Sequence, residues 1–144
     1  MINLKTNLTA SQKGEIIELK CKAFLMERGW NVSTPCGNFL KYDLVIEKNG
    51  RFYTIQCKKS HPIDGGFYVK TVHDQRVGSS AIKVPYTKDE CNYFMTEYNG
   101  EFYMFPVDNM KKITFRTSSV TKKTQKLADN YSADAYLESI EMIS

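Results

Sequence analysis

The stretch from Lys41 to Lys59, KYDLVIEKNGRFYTIQCKK, decides how this chain folds. Tyr42 to Glu47 and Phe52 to Cys57 alternate apolar and polar residues, and Asn49-Gly50 lies between them. Asn and Gly tolerate the positive φ that both central residues of a type I′ turn require, so the pattern predicts a tight β-hairpin. With Asn49 and Gly50 as the loop, Lys48 faces Arg51. Continuing the pairing sets Asp43 opposite Gln56 and Lys41 opposite Lys58. Side chains alternate along a strand, so Asp43, Val45, Thr54, Gln56 and Lys58 share one face, and Leu44, Ile46, Tyr53, Ile55 and Cys57 share the other. A polar trio results: Asp43, Gln56 and, diagonally, Lys58. Facing ammonium groups on Lys41 and Lys58 would repel by a few tenths to about 1 kcal/mol. An anion between them would relieve this, as would both side chains splaying into water.

Such a trio suits metal-assisted phosphodiester hydrolysis. Oxygen ligands hold a hard divalent cation, and a nearby ammonium stabilises charge on the phosphate or orients the attacking water. Upstream, Thr9 and Gln12 form a capping box for a helix that runs to about Arg28, where Gly29 stops it. On its wheel Ile16, Ile17, Leu19, Ala23, Phe24 and Met26 gather on one broad side, with Glu18 and Lys22 opposite or on its flank. The wheel does not choose between Glu15 and Glu18.

An aspartate strand, a turn and then Gln56-Cys57-Lys58 resembles the PD-(D/E)XK nuclease superfamily, with Asp43 as its aspartate and Gln56-x-Lys58 as its acid-x-Lys triplet. Lys13-Gly14-x-x-x-Glu18 is similar to the first motif of archaeal-type Holliday junction resolvases and of PD-(D/E)XK endonucleases associated with group I introns. Tyr42 stands where the superfamily has proline, and Gln56 where it has a second acid; the intron-type branch is similar in carrying Gln-x-Lys. The resemblance implies an α/β fold with a restriction-endonuclease-like core in the order α-β-β-β-α-β, a mixed sheet flanked by helices, and a C-terminal helix. It also implies a magnesium-dependent DNA endonuclease acting on duplex or branched DNA, with manganese able to substitute, assembled as a homodimer or homotetramer. Asp43, Gln56 and Glu18 would hold the metal, and Lys58 would help generate or orient the nucleophile. DNA contacts are expected from Lys13, Lys41, Lys59, Arg76, Lys122 and Lys123. The alternative is a relic that keeps the fold as a DNA- or protein-binding module while Gln56 disables cleavage.

With 144 residues, 42% of them hydrophobic, the chain suits one compact domain. Its formal charge of +4, from 20 basic and 16 acidic residues, excludes a bulk polycation, so any nucleic-acid surface must be local. The first residues, MINLKTNLTASQKGE, contain no apolar run of signal-peptide length, and no window approaches the roughly 18 apolar residues of a membrane span. A cytoplasmic protein is expected. Cys21, Cys36, Cys57 and Cys91 lack metal-ligand spacing and read as reduced, mostly packing cysteines. His61 and His73 read as loop residues.

Trp30 to Ser33 reads as a first strand, Phe67 to Val72 as a third partner in the hairpin's sheet, and His73 to Ser80 as a connector or substrate-contacting loop. Thr87 and Glu90 suggest a second capping box and a short helical turn. A second hairpin follows, turning at Asn99-Gly100 and pairing Tyr98 with Glu101 and Thr96 with Tyr103, with Pro106 at its end. Its aromatic residues fit strand packing better than base stacking. Lys111 to Arg116 reads as the last strand and residues 117–131 as a flexible basic segment, either an arm on DNA or a solvated linker. A C-terminal helix over 132–143 carries Ala133, Tyr136, Leu137 and Ile140 as a stripe that packs on the body or on a second subunit.

Overall fold

A computed structural model of the chain describes residues 7–37, 39–120 and 122–141. Helix α1 spans Ala10–Glu27. Its capping box forms as expected: Thr9 Oγ1 accepts the Gln12 N–H at 3.1 Å and Gln12 Oε1 accepts the Thr9 N–H at 2.9 Å. The strands that follow are β1 Asn31–Ser33, β2 Leu44–Lys48, β3 Arg51–Cys57, β4 His61–Ile63, β5 Gly66–Lys70, β6 Val72–Val77 and β7 Ser80–Pro85. Then come β8 Tyr93–Tyr98, β9 Glu101–Pro106, β10 Lys112–Arg116, β11 Gln125–Leu127, a 3-10 turn at Ala128–Tyr131, and α2 Ala133–Glu141. The fold is α/β. No helix among the described residues is long and apolar enough to cross a membrane.

A five-stranded mixed sheet runs β1-β2-β3-β8-β9, parallel only between β3 and β8. Both Asn-Gly turns form with positive φ, 55° and 79° at Asn49 and Gly50 and 52° and 82° at Asn99 and Gly100. The second hairpin pairs Tyr98 with Glu101 and Thr96 with Tyr103, as its turn predicts. One face of the sheet packs Leu44, Ile46, Ile55 and Met95 against Ile17, Cys21 and Leu25 of α1 and Leu137 and Ile140 of α2. On the other face Phe94 and Phe105 meet Phe67, Val69, Ile113 and Phe115 of a second sheet, ordered β11-β10-β5-β4. Burying such a side chain completely contributes about 1.5–3 kcal/mol. The β8–β9 hairpin is thus the shared wall between two cores, and β3, paired to β8, packs one face on the first of them.

Several expectations need correction. On α1 the buried residues are Ile17, Cys21, Phe24 and Leu25, while Ile16, Leu19 and Met26 are exposed. Cys21 behaves as a small apolar residue, and counting it turns the buried stripe away from Leu19 and Met26. Phe67 to Val72 does not join the hairpin's sheet; β5 pairs with β4 and β10 instead. His73 to Ser80 is no loop, because β6 and β7 form a hairpin around Gly78 (φ 63°) and Ser79. Its polarity reflects exposure, not irregular backbone.

The helix expected between the third strand and the next strand of the sheet is represented by a hydrogen-bonded turn at 88–90, where Glu90 N–H reaches the Thr87 carbonyl at 3.0 Å. Within 117–131, β11 pairs in parallel with β10 and the 3-10 turn buries Ala128, so the last strand is β11 and this part of the segment is structured. Helix α2 buries Ala133, Leu137 and Ile140 against the body, as its stripe suggests. Residues 142 and 143 lie outside the described residues.

Candidate active site

The β2–β3 ladder runs from Lys48↔Arg51 to Leu44↔Ile55 and ends there. Asp43 is not the next rung. Its N–H donates to the Ile55 carbonyl at 2.9 Å, and its Oδ2 accepts the Cys57 N–H at 3.0 Å. The carboxylate thus takes the bond that continued pairing would give to backbone. Lys41 leaves the ladder as a result, and Lys58 turns its own N–H to the Met95 carbonyl on β8 at 2.9 Å. The expected Lys41–Lys58 juxtaposition does not form, and its pointer to an anion falls with it.

Asp43 and Gln56 nevertheless open into one cleft of about 490 Å³. Glu18 and Lys22 reach it from α1, Lys41 from the loop before β2, and His73, Asp74 and Tyr86 from β6 and the residue after β7. Glu18 is half-buried there, with the Lys22 ammonium 3.8 Å from its Oε1 one helical turn on. Glu15 is exposed on α1 and lines no part of this cleft.

Burial pushes the Asp43 carboxyl above its ordinary pKa. The Cys57 N–H opposes that rise, the Glu18 charge adds to it, and the Lys58 and Lys22 ammonium groups offset it in part. Lys58 is shifted the other way. Burial holds its ammonium below the usual lysine pKa against the pull of Asp43, and Lys83 and Lys59 add repulsion. The ammonium donates to the Val72 carbonyl at 3.2 Å and lies 4.8 Å from the centre of the Tyr86 ring. Lys58 is therefore within the electrostatic reach of Asp43, yet it lines an adjoining basic cleft instead of the Asp43 cleft.

The sequence matches the PD-(D/E)XK endonuclease family over residues 8–137. The chain belongs to that family. The fold of this PD-(D/E)XK endonuclease is similar to that of a bacterial homing endonuclease, I-Ssp6803I, with a TM-score of 0.73 and 22% sequence identity. The likeness covers 93% of this chain and 95% of the other. A comparison with curated protein sequences found no match.

PD-(D/E)XK nucleases generally use divalent metal ions. The donors at this cleft fit such an ion: three carboxylates, Asp43, Glu18 and Asp74, and the amide oxygen of Gln56 are hard ligands, and the raised Asp43 pKa reflects negative charge held away from water. Among the described residues no three His, Cys, Asp or Glu side chains cluster as a metal nest. Gln56 lines the same cleft and carries an amide oxygen able to act as a neutral ligand.

Of the basic residues expected on DNA, Lys41 lines the Asp43 cleft, Lys13 and Lys59 share a shallow depression beside the N-terminal half of α1, and Arg76, Lys122 and Lys123 are exposed elsewhere. His73 and Asp74, in the stretch read as a connector or substrate-contacting loop, line the cleft from a strand, and Tyr86 was not expected there. His73 is a strand residue, its Nε2 3.3 Å from Glu90 Oε2 and its ring 4.7 Å from that of Tyr86. Gly78-Ser79, a two-residue turn signal between alternating runs, is what would have revealed the hairpin that brings them there. His61 is also a strand residue, stacked on Tyr68 at 4.8 Å. The four cysteines are free; Cys21, Cys57 and Cys91 are buried and Cys36 is exposed.

Proposed function

We propose that this PD-(D/E)XK endonuclease is a magnesium-dependent DNA endonuclease that hydrolyses phosphodiester bonds in duplex or branched DNA. The observation that carries the reading is the convergence of Asp43, Gln56 and Glu18 on one open cleft, with Asp43 raised in pKa by burial and by Glu18. A bound divalent cation supplies Lewis-acid polarisation of the phosphate and a more acidic water. Asp43 is positioned for ligation because the Cys57 N–H fixes one of its carboxylate oxygens and leaves the other for the cleft. Gln56 presents a neutral oxygen, so affinity for the ion is weak until substrate phosphate adds its charge. Lys58, next to the cleft and reduced in pKa, orients the attacking water or stabilises charge on the phosphate.

In the reaction a water oxygen bonds to phosphorus, the bond from phosphorus to one sugar oxygen breaks, and that oxygen takes up a proton. Assembly as a homodimer or homotetramer and a cytoplasmic setting belong to the same proposal. The test is cleavage of supercoiled plasmid and of a four-way junction with and without magnesium, using the wild type, Asp43→Ala and Lys58→Ala. Cutting by the wild type alone supports the reading. Wild-type activity in either variant removes the role assigned to that residue. The relic reading draws on Gln56 and on the engagement of the Lys58 ammonium by the Val72 carbonyl, and it stands if the wild type binds DNA without cutting either substrate.

A further inference from the structure

The chain carries only four more positive than negative charges overall, yet it concentrates cations on one side of the candidate site. Beside the Asp43 cleft lies a second cleft, of about 550 Å³, lined by Lys58, Lys59, Lys70, Lys83, Lys111 and Lys112 together with His61 and Val72. No acidic residue lines it. The lysines arrive from four places in the chain: the end of β3, the end of β5, the β6–β7 hairpin and the start of β10. Among the described residues only Lys83 has a carboxylate partner, Asp74 at 2.6 Å. Lys59, Lys70, Lys111 and Lys112 have none.

Two features mark the concentration of positive charge here. Lys70 and Lys112 are direct cross-strand partners in the β5–β10 ladder. Like charges on facing residues of one rung repel. Burial, together with the charges of Lys70 and Lys59, also holds His61 below its ordinary pKa. A surface that packs cations with Asp74 beside Lys83 as their one ion-paired carboxylate among the described residues, on a sheet whose other face is a filled core, is complementary to a polyanion.

Lys58, directly after β3, lines this cleft, and Gln56, two residues earlier on that strand, lines the other. A chain of phosphates passing the Asp43 cleft therefore runs directly into the lysines. We infer that this basic cleft holds the sugar-phosphate backbone of the DNA strand to one side of the bond that is cut, an inference that rests on the endonuclease reading above. It binds backbone, not bases, so its contribution is independent of DNA sequence and falls with salt.

The variant that separates binding from folding is Lys70→Glu. It replaces a repelling rung with an opposite-charge pair to Lys112, so the fold is not weakened, while two cations of the cleft are lost to DNA. Arg51→Glu is the control. It makes the same change in net charge on another like-charged rung, Lys48↔Arg51, at the opposite end of β3 from Lys58. Binding to a mixed-sequence DNA duplex is measured by fluorescence anisotropy across a salt series, with calcium in place of magnesium, and melting temperature is recorded in parallel.

Lys70→Glu should bind roughly tenfold or more weakly at low salt, with the slope of log affinity against log salt reduced by about 2, at an unchanged or higher melting temperature. Arg51→Glu should bind like the wild type. Equal binding by Lys70→Glu and wild type, or equal losses in both variants, overturns the inference and leaves the endonuclease reading intact. A wild type that neither binds nor cuts DNA overturns both.

Discussion

The Asp43 carboxylate accepts the backbone N–H of Cys57, the residue between Gln56 and Lys58, at 3.0 Å. This bond ties the Asp43 carboxylate to the backbone of the triplet itself. It also ends the hairpin ladder at Leu44↔Ile55, which lets the preceding loop fold back over the cleft.

Asp43→Asn should make the protein more stable at neutral pH and inactive. Burial raises the folded-state pKa of Asp43 above its unfolded value. Between those two values the folded chain holds the extra proton, so stability is greatest at low pH, falls as pH rises through the window, and stays reduced above it. Asparagine removes the charge and its oxygen can still accept the Cys57 N–H. Thermal melts in EDTA should therefore show a higher melting temperature for the variant at pH 7 and a smaller difference in acid. Cleavage should fall by at least about a hundredfold. A variant less stable than wild type at pH 7 would contradict the strained carboxylate.

Glu18→Gln and Glu15→Gln should differ, although both remove one carboxylate from the same helix. Glu18 lines the cleft and adds to the charge felt by Asp43, while Glu15 is exposed and outside it. The expected outcome is a loss of cleavage of about tenfold or more for Glu18→Gln alone, with both variants melting within a few degrees of wild type. Equal activity in the two would withdraw Glu18 from the site.

Gly66→Ala tests the packing of the second sheet. A Cβ at Gly66 would sit 2.0 Å from the Phe115 carbonyl oxygen, a backbone atom that cannot swing aside. Overpacking of this kind costs roughly 1–3 kcal/mol, and the loss should appear in a urea titration as a lower midpoint. Because β5 and β10 carry Lys70 and Lys112, DNA affinity should weaken along with stability.

What was legible in the sequence was local. Asn49-Gly50 and Asn99-Gly100 require positive φ wherever the chain goes, so both hairpins and their registers follow from the dipeptides and the alternation around them. Thr9 and Gln12 likewise cap α1 without help from elsewhere. Sheet membership was not legible, because Phe67 and Val69 show the same alternation whether β5 joins the first sheet or the second. The β6–β7 hairpin hid behind its polarity, since its outer residues are exposed on both faces. At the site, the turn gave the register only as far as Leu44↔Ile55, and the departure of Asp43 from the ladder to accept the Cys57 N–H left no sequence signal. His73, Tyr86 and the Lys70–Lys112 rung depend on contacts between distant segments and leave no periodic trace.

The central claim is that Asp43, Gln56 and Glu18 form a working metal site in which Gln56 is a ligand despite its missing charge. The most direct measurement is a titration of magnesium and manganese into wild type, Gln56→Glu and Gln56→Ala without DNA, followed by calorimetry and melting temperature, with plasmid cleavage assayed in parallel. The account predicts tighter binding for Gln56→Glu than for wild type, and loss of both affinity and cutting for Gln56→Ala. The rise in melting temperature should track affinity, about 1.4 kcal/mol of stabilisation when metal is at ten times its Kd. Identical metal affinities in all three proteins, with no cleavage by wild type, would contradict it.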